Sequence, residues 1–244
     1  MEECSPCLVD GDSRRRKLLV VCVDGWSRDT MEYFIREKRD VADFDYAPAI
    51  PMPGLAFCAN PYCAVFVLLI ILIVMFPNPV TIFLWIGVFI IVFPIVAILS
   101  FRFSIRRGID ILEKHFHRIR PDVVLAFSWG GGILAAMIAE KKWLGKTVLM
   151  SPCHHVMSRI AMTKPPSLVS AAPSTLRVFC AQDDPFVPSK DLNKIFNECR
   201  GKVTILRDDH RLFSPQSRRS IFSAIQGLLF SPPPSSSSSL SSLT

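Results

Sequence analysis

Three kinds of residue in this chain carry the types and order needed for acyl chemistry: a serine, an aspartate pair and a histidine. Ser128 lies in A-F-S-W-G (126–130), between the apolar run Val123-Val124-Leu125 and the helix-like run 133–139. This is the pattern of a nucleophile elbow, G-x-S-x-G, with Ala126 in place of the first glycine. Small residues two before and two after the serine let the turn fold tightly against neighbouring backbone, and Ala126 and Gly130 meet that need. Further on, A-Q-D-D-P-F-V-P (181–188) offers Asp183 and Asp184 after one apolar run, and R-D-D-H-R-L (207–212) offers His210 after the next. Serine is a poor nucleophile unless a base takes its proton as it attacks, and an imidazole held by a carboxylate does this. Read singly, each residue has a plainer role: Ser128 as a helix cap, Asp184 as a turn former beside Pro185, His210 as a loop residue. Their order, each just past a predicted strand, favours the chemical reading.

The elements that must position these residues are legible from periodicity. Buried strands are predicted over 17–24, 123–127, 146–150 and 175–181 from short apolar, β-branched runs, with a further strand over 202–206, and 41–47 could be a second strand in chain order. Helices are predicted over 28–38, 104–120, 133–139, 189–199 and 214–230, with 151–173 read as irregular. The 104–120 helix places Ile105, Ile109, Leu112, Phe116 and Ile119 on one face. Strands alternating with helices imply an α/β domain: a mostly parallel sheet flanked by helices. The turn after the first strand, Asp24-Gly25-Trp26-Ser27, is a place where free amides could hold a negative oxygen.

Composition adds a second theme. The 244 residues carry a net charge of +7 and a mean hydropathy of +0.35, and the apolar excess is concentrated: no Asp, Glu, Lys, Arg or His occurs from Tyr46 to Phe101. Within that stretch, apolar runs at 62–76 and 80–101 flank Pro77-Asn78-Pro79, and Pro94 is expected to kink the second. About 22 residues of helix reach roughly 33 Å, enough to cross a hydrocarbon core of about 30 Å. The expectation is a two-arm transmembrane or re-entrant helical hairpin inserted into the domain. The division is then a disordered tail at 1–16, the domain at 17–54, the hairpin at 55–101, the rest of the domain at 102–230 and a disordered Ser/Pro tail at 231–244. If the flanking strands share one sheet, the insert must return to its starting side. The basic clusters Arg14-Arg15-Arg16-Lys17 and Arg102, Arg106, Arg107 then put the globular part on the cytosolic face of a membrane. The organelle stays open, with the endoplasmic reticulum among those that fit, and so does the oligomeric state.

Several classes are disfavoured. The basic clusters lack the interleaved aromatics of a nucleic-acid module, and anionic lipid headgroups are the expected partner. The eight cysteines form no disulfide framework: Cys22 and Cys180 lie in predicted strands, and the Cys4-x-x-Cys7 pair has no zinc-spaced second pair. Cys58 and Cys63 sit near the membrane entry, where palmitoylation is possible. His115 and His117, two apart on a helix, do not face one ligand, and neither a metal site nor a cofactor is expected.

The combined pattern resembles the α/β-hydrolase superfamily, over residues 17–230 apart from the insert. That resemblance places the nucleophile on Ser128, the acid on Asp184 rather than Asp183, and the base on His210. It implies an oxyanion hole formed by the amide of Trp129 and that of Trp26 or Ser27. The family's usual His-Gly after the first strand reads Asp24-Gly25 here, and the initial antiparallel strands and a sizeable lid are missing. The implied activity is hydrolysis of a carboxylic ester or thioester, with a lipid or acyl substrate. A non-catalytic membrane scaffold on the same fold, and an acyltransferase using the same triad, are the alternatives.

Overall fold

In the computed structural model, the described residues are 18–25, 32, 42–52, 67, 70–71, 74–75, 78–169, 175–199 and 201–230. The predicted helix at 28–38, the first hairpin arm at 62–76 and both tails lie outside them wholly or for the most part, as do Trp26, Ser27, Cys4, Cys7, Cys58 and Cys63. The chain forms β1 (Leu19–Val23), β2 (Asp43–Tyr46), α1 (Pro79–Ile119), β3 (Val123–Phe127), α2 (Ser128–Ala139), β4 (Lys146–Met150), α3 (His154–Ile160), β5 (Leu176–Ala181), α4 (Ser189–Glu198), β6 (Val203–Leu206) and α5 (Pro215–Phe230). The six strands make one sheet in the order β2-β1-β3-β4-β5-β6, and every pairing is parallel. This is the α/β architecture that the alternation predicts.

Strand side chains alternate between two apolar layers, as the period of two requires. Val21, Val23, Val124, Ala126, Leu149 and Val178 join Ile109, Leu112 and Phe116 of α1, Ile133 and Leu134 of α2, and Leu192 and Ile195 of α4. Val20, Cys22, Leu125, Phe127, Met150 and Phe179 face the other way, onto Ile221, Phe222, Ile225 and Leu228 of α5. The central strands are therefore buried on both sides, which is why they read as continuous apolar runs.

Three sequence expectations change. The second apolar run and the 104–120 helix are one 41-residue helix, α1, because nothing between Phe101 and Ser104 breaks a helix. Pro94 lies inside it, while Asn78 caps its start by accepting the Val80 N–H and Pro79 occupies the first turn. The irregular 151–173 segment contains α3. Finally, the glycines 130–132 are helical residues of α2 rather than part of a turn; a Cβ at Gly132 would collide with Met157 Sδ of α3. As for the hairpin, no helix is long and apolar enough to cross a membrane among the described residues. Several side chains of α1 between positions 79 and 89 lie outside the described ones.

Candidate active site

Strand order determines where the site lies. β1 has β2 on one side and β3 on the other, so the chain reverses its winding direction between β1 and β3. In open α/β sheets the crevice at such a switch point, beyond the strands' carboxyl ends, is where ligands bind. The β1 turn at Asp24-Gly25 and the β3–α2 junction at Ser128 both border this crevice.

Ser128 has φ of +50°, in the left-handed region that non-glycine residues seldom occupy. Phe127 before it is extended, and α2 begins at the serine with no side-chain cap. First-turn amides of a helix lack intrahelical acceptors and lie at the positive end of its dipole. The turn is as tight as its small residues predict. A Cβ on Gly130 would lie 2.5 Å from the Asp24 carbonyl oxygen and 2.8 Å from that of Val23. One on Gly25 would approach Ser128 Cβ to 2.9 Å. Two glycines therefore bring the β1 turn and the serine into direct contact.

Three side chains from three strand ends meet here. Ser128 Oγ is 2.8 Å from His210 Nε2, and His210 Nδ1 is 2.7 Å from Asp184 Oδ2. The other carboxylate oxygen, Oδ1, accepts the N–H groups of Phe186 (2.8 Å) and Val187 (3.0 Å). The Asp184 side chain is 1% exposed, whereas Asp183 is exposed; of the two aspartates, only Asp184 touches His210. The histidine ring lies between Phe127, at 5.1 Å, and Phe186, at 4.8 Å between ring centroids. Its loop is fastened by Asp208, which accepts from Ser214 N–H (2.8 Å) and Ser217 Oγ (2.6 Å). Desolvation opposes the charge on Asp208, but these hydrogen bonds outweigh it and hold the carboxyl below its usual range. The neighbouring thiols are unsuited to act as nucleophiles, since burial pushes Cys153 and Cys180 up to about 12.

Trp129 is buried in the crevice wall and meets Phe101 of α1 edge-on at 5.8 Å. Arg102, the next residue of α1, donates to the carbonyls of Ala161 (2.8 Å) and Met162 (3.1 Å). The Phe101–Trp129 contact places the middle of α1 beside the serine, a position that sequence periodicity does not contain. Phe186 could have been singled out, since it lies within the acid segment itself.

No protein-family model matches this chain, and no curated protein matches it. Solved structures do. TT1662 from Thermus thermophilus aligns over 88% of this chain and 90% of its own, at 14% identity and a TM-score of 0.52. The chain shares that protein's fold. At that identity the likeness concerns the fold alone. A candidate hydrolase of the alpha/beta superfamily from Xanthomonas campestris pv. campestris aligns over 88% of this chain and 95% of its own, at 12% identity and a TM-score of 0.47.

Proposed function

We propose that this protein is a serine hydrolase of the α/β-hydrolase superfamily that acts at a membrane. In this reading it cleaves a carboxylic ester or thioester of a lipid or acyl substrate through an acyl-enzyme on Ser128. The observation that carries it is the unbroken hydrogen-bond chain from Ser128 Oγ through His210 to Asp184. His210 Nε2 takes the serine proton as Oγ attacks the carbonyl carbon, then returns it to the leaving group. Asp184 fixes the tautomer, with Nδ1 as donor, and stabilises the imidazolium. The Trp129 amide, with that of Trp26 or Ser27, receives the oxyanion, an effect worth about 3–4 kcal/mol per donor. Water then releases the acid.

The membrane part rests on α1. Phe101 lies at the level of Trp129, so the preceding 22 or so residues of the helix run on for about 33 Å beyond the catalytic edge. They carry no charge, and Val80, Phe83, Ile90 and Ile91 are exposed. β2 and β3 flank β1 in one sheet, so the segment between them starts and ends on one side of a bilayer. The basic residues Arg102, Arg106 and Arg107 that follow the apolar segment support the cytosolic side. A lipid could then pass sideways along α1 into the crevice. Exchanging residues 55–100 for an unrelated N-terminal anchor tests this. Activity on lipid esters should fall while activity on short soluble esters persists; unchanged lipid activity would show that the segment is only a tether.

The competing reading is a non-catalytic scaffold. Asp24 favours it: its carboxylate accepts the Gly25 N–H at 2.8 Å and sets a negative charge beside the oxyanion turn. Labelling with a fluorophosphonate probe separates the two. Labelling lost on Ser128→Ala supports the enzyme, and none under any detergent or lipid condition supports the scaffold. Products formed with and without an acceptor alcohol distinguish hydrolysis from acyl transfer.

A further inference from the structure

Away from the triad, α3 and α4 meet through a cluster that the acyl chemistry leaves unused. His154 and His155 open α3 and are 1% and 4% exposed, and Glu198 is the last residue of α4. One ligand atom from each lies within 4.8 Å of the other two, and His155 Nε2 is 3.7 Å from Glu198 Oε1. The two rings stand 4.4 Å apart. All four ring nitrogens and Glu198 Oε2 are buried without a hydrogen-bond partner. Buried polar atoms are nearly always satisfied, and here one nitrogen of each ring and a Glu198 oxygen, three ligand atoms in all, face a shared space that an occupant would satisfy.

We propose that His154, His155 and Glu198 bind a divalent transition metal of the zinc class, which clamps α3 to α4. Two imidazoles and a carboxylate suit zinc, whereas calcium and magnesium take oxygen ligands. Tetrahedral bonds of about 2.0–2.2 Å hold ligand atoms about 3.4 Å apart, so a pair at the 4.8 Å limit must close by about 1.4 Å. Arg159 holds the buried Asp191 through two 2.7 Å hydrogen bonds, tying the same two helices nearby. The location gives the clamp a purpose. Cys153, just before α3, donates its N–H to the Ser128 carbonyl at 3.3 Å, while α4 begins directly after the Asp184 loop. A metal here fixes the support of the nucleophile against the support of the acid.

The test uses the full-length protein in detergent, stripped of metal and carrying Cys4→Ser and Cys7→Ser to remove the C-x-x-C pair. Titrated zinc should bind at one ion per chain and raise Tm by about 5–10 °C at a hundredfold excess over Kd. Cobalt in its place should give the visible d–d bands of a tetrahedral site. Glu198→Gln, at a partly exposed position that tolerates change, and His155→Gln should each weaken zinc binding at least about 100-fold. No zinc uptake by the parent protein overturns the proposal. So does uptake with the same affinity in both variants, which would place the metal elsewhere.

Discussion

Asp184→Asn is the sharpest probe of the proposed triad, because the structure dictates where the new amide must point. Oδ1 of Asp184 accepts two backbone N–H groups, from Phe186 and Val187. An NH2 group there would face two donors, so the amide oxygen must keep that place and the NH2 must face His210 Nδ1, 2.7 Å away. Nδ1 then has to accept, and the ring proton moves to Nε2. That nitrogen, 2.8 Å from Ser128 Oγ, can no longer take the serine's proton. Loss of the tautomer costs about 10⁴-fold in kcat, near 5.4 kcal/mol of transition-state stabilisation. The variant changes neither volume nor backbone contacts, so Tm should hardly move. Asp183→Asn, at an exposed side chain, should be silent. The assay is kcat/KM on a chromogenic ester, with the rate of fluorophosphonate labelling as a second readout. If Asp184→Asn stays within tenfold of the parent, or Asp183→Asn is the more damaging, the tautomer argument and the assignment of the acid are both wrong.

Ser128→Ala and His210→Ala should each abolish nearly all turnover, and the double variant should lose less than about tenfold more, because the pair acts as a unit; multiplying losses in steady-state assays would show independent roles. Gly130→Ala forces a Cβ to 2.5 Å from the Asp24 carbonyl oxygen, so it should cost about 1–3 kcal/mol and lower Tm by roughly 2–12 °C. Gly227→Ala, in α5 where an added Cβ meets nothing within 4 Å, should instead raise Tm by a few degrees. Asp208 is held below its ordinary carboxyl range, so its stabilisation is present above about pH 4 and is lost as pH falls through the folded value. Asp208→Asn should therefore lower Tm at pH 7, with the gap to the parent narrowing under acid titration; a gap independent of pH would mean that the charge contributes nothing.

The sequence alone determined the α/β class and the strands. Central parallel strands buried on both faces must read as unbroken apolar runs, so β3 and β4 match their predicted bounds. The serine turn was legible for a steric reason, since a carbonyl oxygen 2.5 Å from where a Cβ would stand favours glycine at position 130. The spacing of the acid segment already favoured Asp184 over Asp183 through the family resemblance, while residue type alone ranked neither; burial and the contact with His210 separate them physically, in three dimensions. The sequence also hid α3, a seven-residue helix whose stability comes from packing on α2 and not from its own propensity. Nor could it show that α1 runs unbroken past the serine, because the Phe101–Trp129 contact joins residues far apart in the chain. The convergence of His154, His155 and Glu198 is of the same kind. Adjacent histidines have no periodicity to betray a shared target, and only the docking of α4 onto α3 brings the carboxylate to them.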